Sequence, residues 1–180
     1  MARRTTQYVN REWLEVVDDA NAPLAVMPRD EVHSRALPHR SVFVLLYNKE
    51  NKLYLQQRQK TKERHPGCWD LSATGHVLAG EAKLDAARRE LYEELRVEVR
   101  KLYKVFELPG TQKTGYEFIT LFQTGPCRCV PDPNPEEVAS GMFLERHEIA
   151  YLVQHFRHLS TPALVTFWLK GLLFSGVNSW

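Results

Sequence analysis

Three glutamates, Glu90, Glu93 and Glu94, stand at i, i+3 and i+4 within the stretch Lys83–Leu95. On a helix their carboxylates leave one face and crowd together. Like charges at those spacings disfavour an exposed helix by roughly 0.2–0.5 kcal/mol per pair. A hard divalent cation turns that repulsion into a site, because Mg2+ or Mn2+ takes clustered carboxylate oxygens together with water and a substrate phosphate. Arg88, Arg89 and Arg96 lie close by, and a glutamate triplet near arginines is, taken alone, far more often a solvated helix face than a catalytic one. Upstream, Arg58, Lys62 and Arg64 gather the opposite charge where phosphates could lie.

The elements that must position these groups follow from periodicity and turn chemistry. Leu84, Ala87, Leu91 and Leu95 recur at helical spacing, which predicts a helix over Lys83–Leu95. Ser41–Tyr47 and Lys52–Gln59 read as a strand pair joined by a turn at Asn48–Asn51, and Gly67 and Gly75 bracket a loop. Before them, Trp13–Val17 and Leu24–Met27 form a hairpin, with a short helix over Pro28–Arg35. Strands are expected at about Val97–Leu108, Tyr116–Thr124 and Met142–Leu144, and closing helices at about Glu145–His155 and Thr161–Phe174. Ser160 or Thr161 caps the last helix and Pro162 occupies its first turn. The pattern is an α/β chain of α+β type, a mixed β-sheet sandwiched between α-helices.

The whole chain has 180 residues with 24 basic and 22 acidic side chains, a formal net charge of +2. That length suits one domain, and that balance argues against a nucleic-acid polymer as partner, so any phosphate chemistry is local. The N-terminus has no apolar stretch for a signal peptide, and the apolar run Ala163–Val177 is short and interrupted by Lys170, so no membrane segment is expected. Cys68, Cys127 and Cys129 contain no C-x-x-C pair and are expected to be reduced thiols of a cytoplasmic protein.

Around the glutamates, Gly75, Glu81, Arg89, Glu90, Leu91, Glu93, Glu94 and Val97 match position by position a pattern that resembles the Nudix box, G-x5-E-x7-R-E-U-x-E-E-x-G-U, with U a bulky aliphatic residue. Average residue frequencies make a chance match on the order of 10⁻⁵ in a chain this long, even with one mismatch allowed. The mismatch is Arg96, where the family has its second glycine. The resemblance implies the Nudix fold over residues 1–180, with an N-terminal β-hairpin extension at about 12–36. It implies that Glu90, Glu93, Glu94 and the Gly75 carbonyl ligate Mg2+ or Mn2+, that Arg89 and Glu81 tie loop to helix, and that Glu93 or Glu94 acts as base. A further base or ligand from a later loop is expected at Glu136 or Glu137.

The segments LPHRSVFVLLYN and LYLQQRQKTKERHPGCWDLSATGHVLAGE and the late STP look like the isopentenyl-diphosphate isomerase branch of that family, over about Glu12 to Leu173. By that likeness Arg58 and Lys62 hold a diphosphate, with Arg64 assisting. His39 and His76 fall where the isomerases place metal-binding histidines, His33 is offset by one residue, and Glu117 survives of two later acidic ligands, the other being Gly115. The isomerase cysteine is replaced by Thr74, a neutral alcohol, and a tryptophan by Ala163, while the whole carboxylate triplet is retained. The expectation is therefore a metal-dependent hydrolase acting on a diphosphate linkage in a small molecule. The alternatives are an isopentenyl-diphosphate isomerase or a non-catalytic diphosphate-binding module. The resemblance admits a homodimer, with no partner surface visible in the sequence.

Overall fold

The computed structural model describes residues 11–175. Its first hairpin pairs β1 (Trp13–Val17) with β2 (Pro23–Pro28), and the Asp18 side chain closes the turn by accepting from the amides of Ala20 at 2.9 Å and Ala22 at 2.8 Å. The short helix α1 (Arg29–Ser34) follows, and Leu14, Val16 and Val32 form a small apolar cluster beneath this unit.

The centre of the fold is β3 (His39–Leu45), whose residues from Ser41 to Leu45 are all buried because both faces are covered. β3 runs parallel to β8 (Glu117–Thr124) and antiparallel to β6 (Ala73–His76), and β8 pairs in turn with β7 (Leu102–Leu108). This gives a mixed four-stranded sheet in the order β6-β3-β8-β7. A second sheet has β4 (Leu53–Arg58) between β5 (Trp69–Asp70) and β9 (Val138–Leu144).

The expected pairing of the third and fourth strands is thereby corrected. Asn48–Asn51 does turn the chain, and the amide of Tyr54 bonds the Leu46 carbonyl at 2.9 Å, but β3 and β4 then part into different sheets. The reason lies in the alternation along β3. Val42, Val44 and Leu46 pack with Leu91 and Leu95 of α2 (Lys83–Leu95), while Phe43, Leu45 and Tyr47 pack towards α3 (Arg146–His155) and α4 (Pro162–Leu169). A strand apolar on both faces is stabilised as an interior strand, not as one arm of a two-stranded hairpin.

The predicted helix over Lys83–Leu95 is present with those limits. The loop expected between Gly67 and Gly75 instead contains β5 and β6, short strands set by their neighbours in the sheets and not by local alternation. β9 begins at Val138, four residues before the expected start, because it pairs with the full length of β4. The last helix stops at Leu169, where Gly171 at φ 70 turns the chain into a short 3-10 turn at Leu172–Phe174. Thr161 caps that helix, its hydroxyl oxygen accepting from the Leu164 amide at 3.2 Å. Among the described residues no helix is long and apolar enough to cross a membrane.

Candidate active site

The site is built where β6 meets α2. Gly75 on β6 lies against Glu90 so closely that a Cβ at that position would overlap the Glu90 carboxylate. One residue earlier, the Thr74 amide donates to Glu94 Oε2 at 2.9 Å, and Gln56 Nε2 on β4 donates to the same oxygen at 2.9 Å. The partner oxygen, Oε1, bonds no donor among the described residues, so Glu94 is held by one oxygen and offers the other to the cleft. Arg89 ties the arrangement from behind. It donates to Glu81 twice at 2.9 Å, to Glu90 at 2.7 Å, to Glu93 at 3.0 Å and to the His76 carbonyl at 2.8 Å. Arg89 does not line the cleft, so of the residues expected in the reaction it positions others instead of facing substrate.

Burial raises the pKa of the two inner carboxyls. Glu94, only 4% exposed, is pushed up to about 7, mainly by desolvation and against the bonds from Thr74 and Gln56. Glu90 is pushed up to about 8 by desolvation first and by the charge of Glu94 next, with Arg89 opposing. Glu93 is more exposed. Carboxylates crowded at the wall of a cleft and raised in this way are short of positive charge. An all-oxygen donor set, together with a glycine that lets a carboxylate lie against the backbone, fits a hard divalent cation.

Cations line the same cleft. Arg58 donates to Asp70 Oδ2 at 3.2 Å and to the Arg64 carbonyl at 3.2 Å; the buried Asp70 is held by the Thr161 hydroxyl at 2.7 Å and the Leu71 amide at 2.9 Å. Lys62 is hydrogen-bonded to Glu137, and burial lowers its pKa from the ordinary lysine value. Of the two loop glutamates, Glu137 lines the cleft and Glu136 does not. The cleft has a volume of about 500 Å³, and beyond the charged groups it reaches an apolar recess formed by Phe43, Leu108, Ile119, Ala163 and Phe167.

His33, His39 and His76 converge beside this cleft, with ligand atoms within 4.8 Å of one another. His33 Nε2 lies 3.0 Å from His76 Nε2, while His33 Nδ1 and His39 Nε2 are buried without a partner. Burial, followed by the neighbouring imidazoles, pushes His33 down to about 3, and burial likewise lowers His39. Neutral imidazoles with free ring nitrogens are the form that binds transition ions such as zinc, iron or nickel. His33 joins this group despite its offset in the sequence, because α1 brings it there. Glu117, opposite His39 in the parallel β3–β8 register, also lines the cleft, and a hydrogen bond from His76 holds Glu12 down to about 2.

Cys68 does not line the cleft, its sulfur lying 4.0 Å from the His158 carbonyl, and it offers no substitute for the isomerase cysteine. Thr74 does line the cleft. The expectation of three reduced thiols is corrected: Cys127 and Cys129 form a disulfide with Cα atoms 5.3 Å apart, a C-x-C spacing that can close without any C-x-x-C motif. Residues missed from the sequence are Gln56, Asp70 and Glu12. Gln56 had one legible signal, since it shares a strand face with Arg58 two positions on.

Comparison with known proteins agrees with this geometry. Residues 37–164 match the family model of the NUDIX domain. An uncharacterized Nudix hydrolase of Pseudomonas aeruginosa is 42% identical over 97 residues, 54% of this chain and 56% of that protein. Another, of Yersinia pestis, is 36% identical over 86 residues, 48% of this chain and 47% of that protein, so the chain spans about half the length of these two relatives. An isopentenyl-diphosphate Δ-isomerase of Pectobacterium atrosepticum is 30% identical over 158 residues, 86% of each chain. A crystal structure from Deinococcus radiodurans shares the fold with a TM-score of 0.75 at 24% identity, covering 88% of this chain and 98% of that one. The family match runs from just before β3, through the carboxylates of α2, to the start of α4, and so takes in the three glutamates together with Arg58 and Lys62: the chain belongs to the NUDIX domain family, whose hydrolases cleave diphosphate linkages.

Proposed function

We propose that this chain is a metal-dependent hydrolase that splits a diphosphate linkage in a small-molecule substrate, with residues 1–180 as one Nudix domain and the segment at about 12–36 as its N-terminal extension. The observation that carries this reading is Glu94: a buried carboxylate anchored through one oxygen at the lining of a cleft that Lys62 and Arg58 also line. Glu90, Glu93, Glu94 and the Gly75 carbonyl would hold Mg2+ or Mn2+, and the cation supplies charge neutralisation and acidifies water there. Arg58, fixed by Asp70, and Lys62 orient the phosphates. Glu93, the more exposed carboxylate, accepts the proton of the attacking water, while Gln56 and Thr74 keep Glu94 in place.

The Pectobacterium relative and the three histidines favour one second reading, isomerisation of a diphosphate ester. Against it, Thr74 offers a neutral alcohol where that chemistry needs an acid–base group, and Cys68 lies outside the cleft. A panel of nucleoside and prenyl diphosphates assayed with Mg2+ and Mn2+ tests both. The hydrolase reading expects phosphate release that falls about 10²-fold or more in Glu93→Gln and Glu94→Gln. Conversion of substrate without phosphate release would establish the isomerase instead, and binding without turnover under either metal would leave only a diphosphate-binding module.

A further inference from the structure

We propose that Arg96, which replaces the glycine of the family pattern, is a substrate-contacting residue whose guanidinium binds a phosphate group at the α2 end of the cleft. The inference rests on the diphosphate reading above and adds a specific anion contact to it.

Two independent observations carry it. The first is backbone strain retained at a position that does not need a side chain. Arg96 ends α2 in the left-handed region, at φ 54 and ψ 28, with its amide bonded to the Leu91 and Tyr92 carbonyls. Glycine adopts this conformation without the clash that a Cβ introduces, so the backbone gains nothing from an arginine here; Asn21, Ala36, Asn51, His65 and Tyr116 also have positive φ, but Arg96 is the arginine or lysine among these described residues and it lines the cleft.

The second is the distribution of charge around the cleft. Arg29, Arg58, Lys62 and Arg64 all line it, and each already faces a carboxylate: Glu12 at 3.6 Å, Asp70 at 3.2 Å, Glu137, and Glu117 at 3.8 Å. Arg96 also lines the cleft, but among the described residues it makes no ion pair; its guanidinium carbon lies 5.4 Å from the centre of the exposed Tyr92 ring. Nor do the nearby helix-end carbonyls engage it. The Leu95 carbonyl accepts from the Asp132 amide and the Glu94 carbonyl from the Asn134 amide, both at 2.8 Å. Lys113 is likewise without an ion pair, but it stands on a short exposed turn and carries no backbone strain. An incoming anion meets Arg96 without first displacing a carboxylate, at the residue that ends α2 three positions after Glu93.

Arg96→Gly and Arg96→Lys separate this role from a structural one. The glycine variant is expected to melt no lower than wild type, while its KM for a diphosphate substrate rises about 5- to 10-fold, more than kcat falls. Lysine should recover part of the loss, and the KM of the glycine variant should depend less on salt. An unchanged KM in Arg96→Gly, with the wild type turning over, overturns the Arg96 assignment and leaves the hydrolase reading intact. If the wild type turns over no diphosphate, calorimetry with inorganic diphosphate and Mg2+ decides: about 5-fold weaker binding by the glycine variant supports the contact, and equal binding rejects it.

Discussion

Replacing Gly75 with alanine tests the site with a single methyl group. The three atoms nearest an added Cβ all belong to the Glu90 carboxylate, and all lie well inside van der Waals contact. Relief requires that carboxylate to retreat by upward of about 1 Å. The obstruction is the tip of a flexible side chain and not backbone, so the cost to the fold is modest, about 1 kcal/mol, or about 2–4 °C in Tm for a chain of this size. The cost to the reaction is much larger, because displacing a reacting group by about 1 Å lowers rates about 10²-fold, equivalent to roughly 2.7 kcal/mol of transition-state stabilisation. Retreat also breaks the 2.7 Å bond that Arg89 makes to Glu90. Thermal melting, Mn2+ binding followed by electron paramagnetic resonance, and steady-state phosphate release should therefore separate: a near-native melt, weakened Mn2+ binding and kcat down about 10²-fold. A folded Gly75→Ala protein with kcat within about threefold of wild type would refute the placement of Glu90 at the reacting centre.

Because Glu90 and Glu94 titrate at about 8 and about 7 in the folded protein against an ordinary 4.5, the folded state holds protons that the unfolded chain has released over that interval. Metal-free stability should fall as pH rises from about 4.5 towards 8, and Mg2+ should raise Tm more at pH 8 than at pH 6, which calorimetry at the two pH values checks. A metal-free Tm that climbs across that range would contradict the burial of these carboxyls. Lys62→Ala removes a cation and leaves Glu137 unpaired at the cleft wall, so KM should rise about 10-fold while kcat falls less; an unchanged KM takes Lys62 out of the phosphate site.

The groups that carry the chemistry were legible in the sequence because their geometry is local. Glu90, Glu93 and Glu94 are spaced by the helix itself, and 3.6 residues per turn puts them on one side whatever surrounds it. Arg89, Glu81 and Gly75 followed from the family pattern, the limits of α2 from its apolar periodicity, and the hairpin and a cap at Ser160 or Thr161 from turn and capping chemistry that acts over a few residues. Long-range geometry decided the rest. Nothing local distinguishes a β3–β4 hairpin from two strands that share a turn and enter separate sheets; the burial of both faces of β3 settles it. Gln56 lies 38 residues from the Glu94 it holds, and His33 lies 43 residues from the His76 it meets. Asp70 fixes Arg58 from another strand, and of Glu136 and Glu137 only the second faces the cleft. The sequence by itself determined which residues could bind a cation and a diphosphate, because that depends on residue type and helical spacing. The tertiary structure alone decided which oxygen is anchored, which cations are already paired and which imidazoles converge, because desolvation and hydrogen-bond distance depend on neighbours that the chain brings together only when folded.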